Sequence, residues 1–298
     1  MGLKGLKIFL WVVVVNIFHY ALATNHLQFL HEQDNLSLSN KMVIATSALR
    51  LIPSEIKIIL DRGELIVALT SVDYSPFHML DKEGNLIGLD IEIANEIAFQ
   101  LGVKVKFDRS QPTFDDVIEY VANGYADLGI SKLSYTPQRA LKVLYSVPYI
   151  TLHKAFLINR VRLAQQPGTP SLEELFSKKE NLVGALATTS YAQFIHNSFP
   201  QAVVKLHTKW DDIQRELSSG KYIAGFRDDC ELTKMLLKHP ELNFNFLTVI
   251  MKGEEDPIYI VAPLENTALI TWVNNLLNNT KKLHFKLNES LKKYKENL

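Results

Sequence analysis

Apolar and polar positions fall into two alternating periods from about Ile56 onward. EIKIILDRG (55–63) closes on a glycine, and ELIVALT (64–70) is a run rich in β-formers. DKEGNLIG (81–88) carries turn residues at Glu83-Gly84-Asn85, which predicts a hairpin or tight loop. LDIEIANEIAFQLG (89–102) puts Ile91, Ala94, Ile97, Ala98 and Leu101 on one helical face, stopped by Gly102. VKVKF (103–107) alternates as a strand does, TFDDVIEYVANG (113–124) is again amphipathic with a glycine stop, and ADLGIS (126–131) reads as a buried strand. The theme repeats further on. Strands are expected at 153–160, 181–187, 202–207, 222–226, 245–250 and 257–263, and helices at 171–176, 188–199, 210–220 and 228–240, with more helix after 268. Ser171 and Glu174 stand in the capping-box relation. Strand and helix in alternation favour a parallel sheet covered by helices. There is no solenoid-type repeat.

ISKLSYTPQRALKVLYSVPYI (130–150) adds a question of chemistry. Thr136 is an N-cap candidate and Pro137 suits the first helical position, so Arg139 falls in a first turn, where the helix dipole disfavours a cation. On local grounds Arg139 is either a solvated or salt-bridged arginine or one side of an anion site, where free N–H groups and a forked guanidinium converge on a carboxylate or phosphate.

The N-terminus shows a third pattern. A short basic stretch, MGLKGLK, precedes the apolar run 8–23, and Ala21-Leu22-Ala23 has the small-x-small form of a cleavage site. This layout predicts a cleaved signal peptide over 1–23; an uncleaved anchor is the alternative. No cysteine lies nearby, so lipid attachment is not expected. The one cysteine, Cys230, excludes an internal disulfide and reads as a packed small hydrophobe. Histidines are scattered without metal-ligand spacing, and no metal or cofactor is expected. With 32 basic and 32 acidic residues, the charge balance gives no case for nucleic acid or an anionic membrane as main partner.

From about Ile56 to Tyr294 the chain resembles the family 3 bacterial solute-binding proteins, amino-acid-binding subunits of ABC importers. LIVALTSVDYSPFHMLDKEGNLIGLDIEIANEIAFQLG (65–102) looks like that family's opening strand, aromatic-x-Pro-Phe loop, Gly-x-Asp turn and first helix. TFDDVIEYVANGYADLGISKLSYTPQRALKVLYSVPYI (113–150) resembles its second half-motif, including Thr-x-x-Arg and Ser-x-Pro-Tyr. The resemblance implies an α/β fold of the periplasmic-binding-protein-like type II, with two doubly wound α/β lobes joined by two hinge crossovers near 149–153 and 253–257. The implied organisation is a signal peptide (1–23), an N-terminal extension (24–55), the first part of lobe 1 (56–150), lobe 2 (151–255), and the return to lobe 1 with the C-terminal helices (256–298).

Residue by residue, the resemblance implies that Arg139 clamps an amino acid's α-carboxylate, which suits the bidentate geometry of a guanidinium. Ser134 assists, and Thr189 and Ser190 donate to the same carboxylate from a helix N-terminus. Asp228 takes the α-ammonium, sharing it with the carbonyl of Lys132, while Tyr74 and Phe114 wall the side chain. Read without the family, Tyr74 and Phe114 are ordinary core, Asp228 is a helix N-cap in competition with Asp229, and Thr189 and Ser190 are plain caps. The chain also departs from the pattern. Lys132 stands where the family usually has Gly or Ser, a long cation expected to narrow the pocket mouth. Ser71 stands where several binders of polar and basic amino acids carry an acid, which argues against a lysine- or arginine-type ligand. Leu186 and Thr188 replace a polar residue and a glycine, and Arg227 either favours an acidic side chain or faces solvent.

The function so implied is a periplasmic, monomeric binding protein that closes on a free amino acid or close analogue and delivers it to an inner-membrane ABC permease, without catalysis. Two other classes compete. One is a cyclohexadienyl-dehydratase-like enzyme, which needs a general acid the sequence does not display. The other is a sensory module serving a membrane partner, although the chain leaves no room after its last helices for a membrane span and output domain.

Overall fold

The structure, a computed structural model, describes residues 52–280 together with Glu289, Lys292 and Lys293. The expected signal peptide, and the extension up to residue 51, lie outside the described residues.

The first half opens with α1 (Ser54–Arg62), closed by Gly63 in the left-handed region. Then come β1 (Glu64–Thr70), the hairpin β2 (Met79–Leu80) and β3 (Leu86–Ile87), α2 (Leu89–Leu101) and β4 (Lys104–Gln111). They are followed by α3 (Phe114–Ala122), β5 (Leu128–Ser134), α4 (Pro137–Ala140) and β6 (Val143–Tyr145). Thr113 and Asp116 form a capping box at α3, and the Thr136 hydroxyl accepts from the Arg139 backbone N–H at α4. These pairings satisfy N–H groups that the first helical turn leaves free, which is why the helices begin there.

The second half contains β7 (Ile150–Asn159), α5 (Arg160–Ala164), α6 (Leu172–Ser177), β8 (Leu182–Leu186) and α7 (Tyr191–Ser198). It continues through β9 (Val204–His207), α8 (Trp210–Ser218), β10 (Tyr222–Asp228), α9 (Asp229–Lys238), α10 (Leu242–Asn245), β11 (Phe246–Pro263) and α11 (Thr267–Asn279). The Ser171–Glu174 capping box forms at α6 as its spacing predicts.

One sheet runs through both halves in the order β4-β1-β5-β11-β7-β10-β8-β9, with β6 also on β11. Pairing is parallel within each half, β4-β1-β5 and β10-β8-β9, as the alternating pattern predicts. At the centre it is antiparallel, because β7 and β11 carry the chain out and back. The segments 245–250 and 257–263, expected as separate strands, form the single long β11. Its pairing with β7 shifts between Ile250 and Glu255, at Gly253 in the left-handed region. Two α/β halves thus meet at two crossing strands, each half with its own apolar core. Ile93, Ile97, Leu128 and Val273 fill the first, and Phe156, Phe176, Val183 and Phe226 the second. Cys230 is fully buried with the first core, and burial pushes its thiol pKa far up, so it packs as a small hydrophobe.

Candidate functional site

All eight residues singled out in the sequence line one cavity between the halves: Tyr74, Phe114, Lys132, Ser134 and Arg139 from the first, Thr189, Ser190 and Asp228 from the second. The cavity measures about 460 Å³, open mouth included.

Arg139 owes its place to the short α4. Its side chain is 6% exposed, its Nε donates to Asp115 Oδ1 at 2.8 Å, and its Nη1 donates to the Ser134 carbonyl at 3.2 Å. These contacts hold the guanidinium in place at the cavity wall. Opposite lies the N-terminus of α7. Ser190 occupies the N-cap position but makes no side-chain cap bond, and the Thr189 hydroxyl donates to Leu186 O at 3.0 Å. Neither hydroxyl caps the helix, so the plain-cap reading fails for both. Tyr74 and Phe114 stack at 4.9 Å between ring centroids.

Asp228 does cap a helix. Its Oδ1 accepts from the Glu231 backbone N–H at 2.9 Å, while Asp229 turns away to His153. Asp228 Oδ2 is also occupied, by the ammonium of Lys132 at 2.9 Å. The Lys132 side chain runs inward to Asp228, an ion pair that the sequence did not indicate. The reason is its backbone. Lys132 has φ of 50°, the only non-glycine residue with positive φ among the described residues, and its N–H donates to Asp90 Oδ2 at 3.1 Å. Asp90 is itself fixed by the Tyr149 hydroxyl at 2.6 Å and by His78 at 2.9 Å, with His78 resting on Thr70. This buried set of polar groups, invisible to hydrophobic patterning, holds β5 in a left-handed kink that turns the lysine into the cleft.

Glu231 completes the cluster. It accepts from Lys132 at 3.4 Å, Arg227 at 2.9 Å and Lys234 at 2.8 Å. Burial would raise its pKa, but the three cations outweigh burial and hold it well below the usual carboxylate range. Burial likewise pulls the Lys132 ammonium down, and Asp228 and Glu231 outweigh it, so the net shift is upward and the group stays charged. Arg227, whose orientation the sequence left open, spans Glu231 and the face of Trp210, 5.0 Å from the ring.

Sequence reasoning missed Asp256. On β11 at the crossover, it lines the cavity at 2% exposure. Its Oδ2 accepts from Tyr191 Oη at 2.8 Å and Ser134 Oγ at 3.1 Å, whereas its buried Oδ1 has no partner. Burial, and next the nearby Asp228 charge, push its pKa up to about 6 against the help of those donors. The one available signal was its position in EEDP, inside the expected second crossover. No cluster of residues that could hold a metal occurs among the described residues. No helix among them is long and apolar enough to cross a membrane.

The chain is similar to several known proteins. The arginine-binding periplasmic protein of Mannheimia haemolytica is 27% identical over 216 residues, covering 70% of this chain and 82% of that protein. Among solved structures, the ancestral amino acid-binding protein AncCDT-1, a precursor of cyclohexadienyl dehydratase, matches with a TM-score of 0.62 and 27% identity over 81% of this chain and 99% of that one. A mutant of ArgBP from T. maritima matches with a TM-score of 0.61 and 26% identity over the same shares. The profile of the bacterial extracellular solute-binding proteins, family 3, matches residues 66–297, and the chain belongs to that family.

Proposed function

We propose that the protein captures a free amino acid or close analogue by its carboxylate in the cleft, in the periplasm, and delivers it to an ABC permease. One observation carries this reading: the buried Arg139 guanidinium, braced by Asp115 and the Ser134 carbonyl, faces uncapped Ser190 at the start of α7. A carboxylate between them would receive charge-assisted bonds from both halves and draw them together about β7 and β11. In this reading the lobes divide at 150–151 and 255–256. The side chain of the ligand is not carried over from relatives named for arginine, since Ser71 stands where the resemblance puts an acid in binders of basic amino acids.

The test is thermal unfolding and calorimetric titration of protein unfolded and refolded to remove carried-over ligand, against amino acids and their analogues. Arg139→Lys keeps the charge but loses the fork and should weaken binding on the order of 100-fold, as for one partner of a buried charge pair. Undiminished affinity in that variant would sink the carboxylate assignment.

Asp256 favours a second reading. A cleft carboxyl with its pKa pushed up to about 6 can carry and give a proton near neutral pH, the group a dehydratase requires. Turnover of prephenate by the wild type, lost in Asp256→Asn, would establish it; no turnover leaves the binding role.

A further inference from the structure

The position that would meet an amino acid's α-ammonium is already filled by the protein itself. Lys132 Nζ lies 2.9 Å from Asp228 and 3.4 Å from Glu231, with the lysine side chain 6% exposed. Both oxygens of Asp228 are engaged, one by Lys132 and the other by the backbone N–H of Glu231. Glu231 is shared by Lys132, Arg227 and Lys234, so three cations surround two carboxylates. A further ammonium arriving at Asp228 would have to share oxygens that are already engaged, beside the like charge of Lys132. The placement is also specified by the fold. A lysine holds a left-handed φ of 50° that glycine would adopt freely, and the buried carboxylate of Asp90 secures its N–H.

Two of the three Nζ hydrogens are directed to Asp228 and Glu231. No third acceptor for Nζ occurs among the described residues, and Lys132 lines the cavity, so the ammonium has a donor left for a ligand. We infer that the ligand is a carboxylate bearing an acceptor oxygen, as a 2-oxo or 2-hydroxy acid does, in place of the α-ammonium. The carboxylate sits on Arg139 and the α-oxygen accepts from Lys132. This rests on the solute-binding reading above and narrows it.

The experiment uses matched pairs that differ only at the α-position, such as L-glutamate with 2-oxoglutarate and L-phenylalanine with phenylpyruvate and 3-phenyllactate. They are titrated into the refolded wild type and into Lys132→Gly, a substitution the left-handed backbone accepts. In the wild type, the oxo or hydroxy member of at least one pair should bind ten-fold or more tighter than its amino acid. In Lys132→Gly, with Asp228 released, the preference should move toward the amino acid by ten-fold or more. A wild type that binds an amino acid as tightly as its oxo partner overturns this inference and leaves the solute-binding reading standing. Absence of binding by every pair member to both proteins overturns the solute-binding reading, and this inference with it. If Lys132→Gly fails to fold, the wild-type ratios decide alone.

Discussion

Asp256 holds a charge at a poor place for one. It is almost fully buried, one oxygen has no partner, and Asp228 is near. Its folded pKa of about 6 lies above the unfolded value of 3.8, so between those pH values the folded state binds more protons than the unfolded state. Stability from this group is therefore present at low pH and lost as pH rises from about 4 to 6, by roughly 3 kcal/mol in all for a shift of this size. Urea unfolding of the wild type across that window should show the decline, and Asp256→Asn should flatten it. An unchanged slope in the variant would assign the titration elsewhere. This residue and Lys132 mark the limit of sequence reading. Arg139, Tyr74, Phe114 and the Asp228 region stand in motifs whose spacing survives in the linear chain, and all reach the cavity. Lys132 could be placed there too, but the direction of its side chain depends on a left-handed kink set by Asp90, 42 residues earlier. Asp256 depends on how one strand crosses between halves.

At the scale of elements, most boundaries were legible because local chemistry writes them. Thr113–Asp116 and Ser171–Glu174 open helices, and Gly63 and Gly102 close them. β11 was not, since its two apolar runs are separated by the polar KGEED, which reads as a loop until β7 is there to pair with both sides. Gly88, at the N-cap of α2, has a φ of 125°, and a Cβ there would meet the Phe77 carbonyl oxygen at 2.2 Å. Gly88→Ala should cost about 3 kcal/mol or more, from the strained backbone and the clash together. Because Gly88 sets the start of the helix that carries Asp90, the variant should also weaken ligand binding. Denaturant unfolding and titration check both, and a loss below about 1 kcal/mol would show that the turn relaxes.

At the scale of the whole molecule, the charged cluster spans the cleft. Lys132 belongs to β5 in the first half, Asp228 and Glu231 to the end of β10 and the start of α9 in the second, and Lys234 Nζ reaches across to the Ser75 carbonyl at 3.2 Å. These ties favour a closed arrangement before any ligand arrives. Removing the lysine in Lys132→Gly should shift the unliganded molecule toward open forms, visible as a larger radius of gyration in small-angle scattering. An unchanged radius would mean that packing along β7 and β11 sets the closure.

The Lys132 ammonium has one more consequence. A group bound to Asp228 through its own chain is a competitor that dialysis cannot remove. Tethered groups act at effective concentrations of about millimolar or above. Any free cation seeking Asp228 must displace a rival that is always present and does not dilute with the protein. A filter of this kind needs no contact with the rejected solute, because the seat is taken before the encounter begins.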